Sequence, residues 1–249
     1  MDGIGEVIAW FTSPEQWSGN NSIPLRLWEH VSLSAAALAA GIAVALPVGL
    51  YIGHTGKGAR TVIAVANIGR AVPSLGWLGI VYPISVALLA RGGLGFWPTF
   101  VALVALALPP IVTNTYAGLR EVDPDLREAG RGMGMRETEL LRRVEIPIAL
   151  PVILAGVRAS AVTVVATATL SSIVGGGTLG AYVVQGLFIN DMPRVVGGAI
   201  MVAALALLTE WAFATLQRRS VSAGLRGRPI PAPVELLDPH SAADDAVAA

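Results

Sequence analysis

The sequence contains no cysteine and little charge. Without cysteine, the chain can form neither disulfides nor thiolate metal sites, and it has no cysteine nucleophile. Only 14% of its 249 residues are charged, whereas a soluble domain of this length needs more charge to cover its surface. The histidines, His30, His54 and His240, are scattered and form no metal-binding pattern. The formal net charge is zero, so nothing indicates binding to nucleic acid.

What the sequence has instead is long apolar stretches. A bilayer core requires about 20 apolar residues per helix, and five stretches are long enough. They cover approximately residues 31–53, 61–90, 98–119, 147–174 and 195–216. We therefore predict an all-α integral membrane protein of the cell membrane, with about five transmembrane helices and a transmembrane domain over residues 25–220.

Basic residues predict the orientation of these helices. If the short loop 54–60 is inside, twelve of the 17 Lys and Arg residues fall in inner segments and three in outer ones. This asymmetry predicts an outer N-terminus and an inner C-terminus. The residues 221–249, rich in proline and alanine, are then expected to form a disordered cytoplasmic tail.

The N-terminal segment 1–24 differs from a secretory signal. It carries Asp2 and Glu6 where such a signal would be basic. Apolar residues at helical spacing indicate a short helix on the membrane surface, and a leader without fixed structure is the alternative. The residues with this spacing are Ile4, Val7, Ile8 and Phe11.

The second stretch is too long for a simple crossing. Pro73 disfavours a helical conformation at Val72 and removes a backbone donor. One interpretation is an inner helix over 61–72 that kinks into a deeper one, and the other is a single, strongly tilted helix.

The fourth stretch is rich in small and hydroxylated residues, among them Thr167 and Ser171. Small residues let helices approach closely, and hydroxyls can bond across helices, so we expect this helix to be buried in protein. Composition leaves open whether it lines a pathway or only packs.

The loop 120–147 is the longest inner loop. Asp123 and Pro124 predict a helix start, since Asp caps a helix and Pro suits its first position. One face of this helix is small and apolar, which suits docking into a groove on another protein. Its members are Leu126, Ala129, Gly130 and Met133. Gly132 and Gly134 end the helix, and a second short helix is expected from about 137 to 143.

This loop resembles the EAA signature of ABC importer permeases, which reads Glu-Ala-Ala, three residues, Gly, nine residues and Ile-x-Leu-Pro. Glu128, Ala129, Gly134 and Pro147 match this pattern at the required spacing. The remaining positions differ mildly, with Gly130 for Ala, Val144 for Ile and Ile146 for Leu. The resemblance implies a type I ABC importer permease whose loop helix is a cytoplasmic coupling helix.

Three flanking segments resemble osmoprotectant permeases, which serve importers of glycine betaine, carnitine and choline. They read RAVPSLGWLGIVYPI (70–84), LPPIVTNTYAGLREVDP (108–124) and IVGGGTLGAYVVQGL (173–187). The resemblance covers about residues 25–220. A permease for methionine, taurine or nitrate shares the loop signature and is the alternative. An ion-coupled secondary transporter is a further alternative, although no internal repeat and few intramembrane acids support it.

The resemblance also implies partners. These are two cytoplasmic ABC ATPase subunits, a second permease chain that is identical or paralogous, and an extracytoplasmic substrate-binding protein. The chain itself is expected to be no enzyme and to bind no cofactor, with ATP and Mg²⁺ on the ATPase partner. In particular, Tyr51 stands where a phosphate-binding loop ending at Gly56-Lys57 would require glycine.

A quaternary ammonium substrate favours aromatic faces, and polar groups inside spans must face protein or water. The candidate pathway residues on these grounds are Trp77, Tyr82, Asn114, Tyr116, Thr167 and Ser171. Each aromatic ring can alternatively pack between helices.

Two charges lie within the predicted spans. Arg158 and Glu210 are each several residues from the inner end of their helix. An unpaired charge is costly in lipid, so we hypothesise that they form a buried pair joining the fourth and fifth spans. The alternative has Arg158 reaching Glu145 or a lipid phosphate.

Overall fold

The computed structural model describes residues 3–89 and 95–220. These residues form ten α-helices, with no strand among the described residues. The helices are α1 (Gly3–Thr12), α2 (Ile23–Thr55), α3 (Ala59–Ala71), α4 (Ser74–Leu89), α5 (Phe96–Arg120), α6 (Pro124–Gly132), α7 (Glu137–Leu140), α8 (Ile146–Thr167), α9 (Gly180–Ile189) and α10 (Met192–Ser220).

Four helical runs in the described chain are long and apolar enough to cross a membrane, and a bent pair makes up to five. The four runs are α2, α5, the continuous stretch Glu137–Val174 that contains α8, and α10. The bent pair consists of α3 and α4. The five predicted apolar stretches are therefore confirmed as helical, within an all-α fold.

The break at Pro73 separates α3 from α4. Val72 has an extended backbone, with φ −74° and ψ 120°, as expected for the residue before proline. The two helices meet at 97°, which agrees with the kinked interpretation and not with a single tilted helix.

The core of the bundle is the packing of α2 and α8 against α5. Small residues allow this close approach. A methyl group on Gly49 of α2 would lie 2.7 Å from Thr115 Cβ of α5. A methyl group on Gly156 of α8 would lie 2.6 Å from Asn114 Cβ, also on α5. The expectation that the fourth span is buried in protein agrees with this packing.

The N-terminal helix α1 packs on α10. The ring of Trp10 covers Gly197 of α10 and meets the ring of Tyr182 edge-to-face, with 5.3 Å between centroids. The helix expected at this end is therefore present, and its position on a membrane surface stays a prediction.

One helix has no counterpart among the predicted elements. The ten-residue helix α9 lies between the fourth and fifth spans, and it is too short to cross a membrane. The predicted tail at 221–249 lies outside the described residues.

Candidate functional site

Helix α6 in the loop between α5 and α8 begins where the sequence predicts. Asp123 Oδ1 accepts a hydrogen bond of 2.9 Å from the backbone N–H of Asp125, and Pro124 is the first helical residue. This cap satisfies one of the N–H groups that a helix start leaves without a partner.

The outward side of α6 is a small apolar face beside a carboxylate. Leu126 is 47% exposed and Met133 is 71% exposed, and Ala129 and Glu128 are exposed as well. Because this face contacts nothing in the described chain that would bury it, it can meet another protein.

Gly130 departs from the predicted face. It is buried and points inward, where a methyl group would lie 2.7 Å from Leu140 Cδ1 of α7. An alanine here, as in the EAA signature, would require the end of the Leu140 side chain to shift. The interpretation of Gly130 as a docking residue is corrected accordingly: it packs α6 against α7, while its neighbours face outward.

Two backbone hydrogen bonds close the C-terminal end of α6. The Met135 N–H donates to the Gly130 carbonyl at 3.1 Å, and the Gly134 N–H donates to the Arg131 carbonyl at 2.9 Å. Gly134 has φ +82°, the left-handed conformation that this helix ending requires.

The second short helix, expected from about 137 to 143, is not separate from the fourth span but continues into it. Helix α7 ends at Leu140, and residues 141–145 form a wide π-turn that leads directly into α8. Pro147 is the second residue of α8, inside the helical run that continues from residues 141–145, so its missing N–H removes one bond of that run.

A charged cluster lies under α6. The Glu145 carboxylate is 1% exposed, with His54 Nδ1 2.6 Å from Oε2 and Arg127 Nε 2.9 Å from Oε1. His54 Nε2 lies 3.3 Å from Glu137 Oε2, and Glu137 also accepts from Arg131 at 2.9 Å. The hydrogen bond and the charge of Glu137 raise the pKa of Arg131.

Sequence reasoning missed this cluster. His54 and Glu145 are 91 residues apart, and neither side chain belongs to the loop signature. The only available signal was a carboxylate at 145, placed between two basic residues and an apolar stretch. The structure pairs it with Arg127 and His54, and not with Arg158.

Arg158 and Glu210 are brought together. Arg158 Nη2 donates to Glu210 Oε1, and Arg158 Nη1 lies 3.4 Å from Gln217 Oε1. Gln217 in turn donates to the Pro151 carbonyl of α8 at 2.9 Å. The description of a buried pair needs correction, because the described chain leaves the two side chains 36% and 38% exposed. They lie between α8 and α10 on the outside of the bundle.

Reversing one of these charges is expected to reduce the yield of folded protein several-fold, because two like charges would then meet inside an apolar layer. The swapped double variant, Arg158→Glu with Glu210→Arg, should recover part of that loss. Recovery stays partial because Gln217 is oriented for an arginine at 158. The measurement is the monodisperse fraction after purification, and a double variant no better than either single change would contradict the pairing.

The six predicted pathway residues do not surround one site. Trp77 lines an apolar cavity of about 230 Å³ between α2, α3 and α5, whereas Ser171 lines a separate, partly polar cavity of about 180 Å³ beside Glu29 and Phe96. Trp77 also donates to the Gly69 carbonyl at 3.2 Å, an ordinary packing contact.

The other four predicted pathway residues lie at separate places in the helices. Asn114 lies against Gly156 and donates to the Pro110 carbonyl of its own helix at 2.8 Å. Tyr116 packs on the main hydrophobic core, and Tyr82 and Thr167 are half-buried. A substrate pathway through these residues remains a prediction.

Comparison with known proteins identifies a matching family and relatives that are similar in sequence over most of the chain. The family model described as "Binding-protein-dependent transport system inner membrane component" matches residues 30–222. The chain is 38% identical to the choline transport system permease protein OpuBB of Bacillus subtilis over 201 residues, 81% of this chain and 89% of that protein. It is 41% identical to the carnitine transport permease protein OpuCB of Listeria monocytogenes over 211 residues, 85% of this chain and 93% of that protein.

A solved structure shares the fold. A chain of the MetNI methionine ABC transporter, in an inward-facing conformation, matches with a TM-score of 0.71 and 26% identity. The match covers 79% of this chain and 95% of that chain.

Proposed function

The chain belongs to the family of binding-protein-dependent transport system inner membrane components, and on that premise we propose that it imports quaternary ammonium osmoprotectants. Glycine betaine, choline and carnitine are the proposed substrates. The observation that carries this proposal is identity of about 40% to choline and carnitine permeases over four fifths of the chain. The structural neighbour for methionine is less similar, at 26% identity, so it supports the alternative substrates less well.

The exposed face of α6 is the proposed contact with the ATPase. Leu126, Ala129 and Met133 present apolar surface, and Glu128 adds a charge at its edge. In this proposal two ATPase subunits bind ATP and Mg²⁺ and close on each other. Their closure moves two docked α6 helices, one from each of two permease chains, and opens the pathway to a substrate-loaded binding protein.

The experiment that tests the substrate class uses the complex purified with its ATPase and binding protein in lipid nanodiscs. ATP hydrolysis is measured with binding protein loaded with glycine betaine, choline, carnitine, methionine or taurine, and with empty binding protein as the control. Stimulation by quaternary ammonium compounds alone supports the proposal. Stimulation by methionine or taurine alone would contradict it and would favour the alternative, a permease for methionine, taurine or nitrate.

Topology is tested by cysteine labelling, since the chain has no cysteine of its own. We predict that a cysteine at position 131 is labelled only after the membrane is opened, because α6 is on the inner side. A cysteine at Gly92, which lies outside the described residues, should be labelled from outside intact cells. Labelling of position 131 in intact cells would reverse the proposed orientation.

A further inference from the structure

The cluster under α6 is built around a single buried carboxylate. Glu145 lies where the π-turn joins α8, and it is 1% exposed. His54 Nδ1 contacts one carboxylate oxygen at 2.6 Å, and Arg127 Nε lies 2.9 Å from the other. The Arg127 N–H is not directed at that oxygen, so this second contact is an ion pair and not a directed hydrogen bond.

The partners of Glu145 come from separate helices. His54 is in the last turn of α2, and Arg127 is in the middle of α6. Arg127 also donates from Nη2 to the carbonyl of Leu119, in the last turn of α5. The cluster therefore ties α6 to the inner ends of α2 and α5 and to the beginning of α8.

Burial separates these residues from the docking face of α6. The side chain of Arg127 is 14% exposed and that of His54 is 13% exposed, whereas Met133 on the outward side is 71% exposed. A partner protein that covers the outward face would thus leave the Glu145 contacts intact.

The cluster resists movement of α6 relative to the spans. If α6 shifted alone, Arg127 would leave Glu145, and a buried carboxylate without its cation is strongly unfavourable. Movement of α6 together with α2 and α8 keeps every contact. A second set of contacts also resists movement of α6 alone. His54 faces Glu137, and Glu137 forms an ion pair with Arg131 of α6.

We infer that Glu145 is a positioning residue that fastens the loop helix α6 to the inner ends of the transmembrane helices, so that a force applied to α6 moves the spans. This inference rests on the proposed function, in which a partner ATPase supplies the force. It assigns no substrate contact to Glu145, His54 or Arg127.

The first test measures geometry and needs no substrate. Spin labels are placed at Lys57, which follows α2, and at Asp125 on α6. The sample is the full chain in complex with its ATPase, in lipid nanodiscs and without nucleotide. The native chain should give one narrow distance distribution. Glu145→Gln keeps the shape and removes the charge, and it should broaden or shift that distribution. The matched control is Glu121→Gln, an exposed carboxylate of the same loop with no ion pair among the described residues.

The second test measures coupling in the reconstituted complex. In Glu145→Gln, osmolyte taken up per ATP hydrolysed should fall roughly tenfold, because Arg127 loses its buried counter-charge, while basal hydrolysis persists. Arg127→Gln should give a similar loss, and the double variant should be no worse than either single one, because the two residues act through each other.

The outcomes separate this inference from the proposed function. If the native complex transports no osmolyte, the substrate assignment fails, and the spin-label distances still decide the role of Glu145. If Glu145→Gln cannot be recovered, Arg127→Gln replaces it in both tests. Native distances together with native coupling in the recovered variant would overturn the inference, as would losses that multiply in the double variant.

Discussion

Gly134→Val is expected to abolish most transport while leaving the membrane helices folded. Gly134 has φ +82°, a left-handed conformation that a β-branched residue adopts only at a cost of about 1–3 kcal/mol or more. The helix ending made by Gly134 and Met135 would open, and α6 would no longer stop with its outward face in place. The measurements are osmolyte uptake and recovery of the ATPase with the purified permease.

The control for this prediction lies two residues away. Gly132 is also exposed, and a methyl group there meets nothing within 4 Å, but its φ is not positive. Gly132→Val should therefore retain most ATPase recovery. Gly134→Asn should fall between the two, because asparagine tolerates the left-handed conformation better than valine. Equal loss at positions 132 and 134 would show that backbone conformation is not the cause.

Gly156→Leu is expected to prevent folding of the bundle. At this position a Cβ atom would lie 2.6 Å from Asn114 Cβ and 2.8 Å from the Pro110 carbonyl oxygen. The carbonyl is backbone, so α5 and α8 would have to move apart. Forcing extra volume into a packed core typically costs about 1–3 kcal/mol, and a backbone clash lies at the upper end.

Gly79→Leu provides the comparison. Gly79 is an exposed residue of α4, and a methyl group there meets nothing within 4 Å. Leucine favours a helix over glycine by about 1 kcal/mol at either site, so propensity does not distinguish the two variants. We expect a sharp size-exclusion peak for Gly79→Leu and mainly aggregate for Gly156→Leu. A monodisperse Gly156→Leu protein of native thermal stability would refute the close packing of α5 and α8.

The spans and the loop helix could be predicted from the sequence because their signals are local. Apolar length defines a span, Pro73 breaks a helix, and Asp123 with Pro124 begins one. Each of these features depends on neighbouring residues, and each is present in the structure. Helix α9 gave no such signal, because a ten-residue helix is too short to be recognised as a span.

The packing inside the candidate site could not be predicted because it depends on distant residues. By its spacing, Gly130 belongs to the apolar side of α6 that is expected to face outward. In the structure it is buried against Leu140, which is ten residues further along the chain. Glu145 stands beside an apolar stretch, and only folding brings His54 to it across 91 residues. The same limit applies to the pathway residues, since polarity within a span does not say which neighbour each side chain meets.

Helix α10 gives the Arg158–Glu210 contact an unusual dependence on its surroundings. None of the residues in the most apolar 18-residue window of α10 is buried by the described chain, so the chain itself does little to exclude water from this ion pair. The attraction between two charges varies inversely with the dielectric constant around them. The pair should therefore be strong in a bilayer and weak in a thin or hydrated micelle. The strength with which α8 and α10 are held together therefore depends on the surrounding lipid as well as on the two side chains.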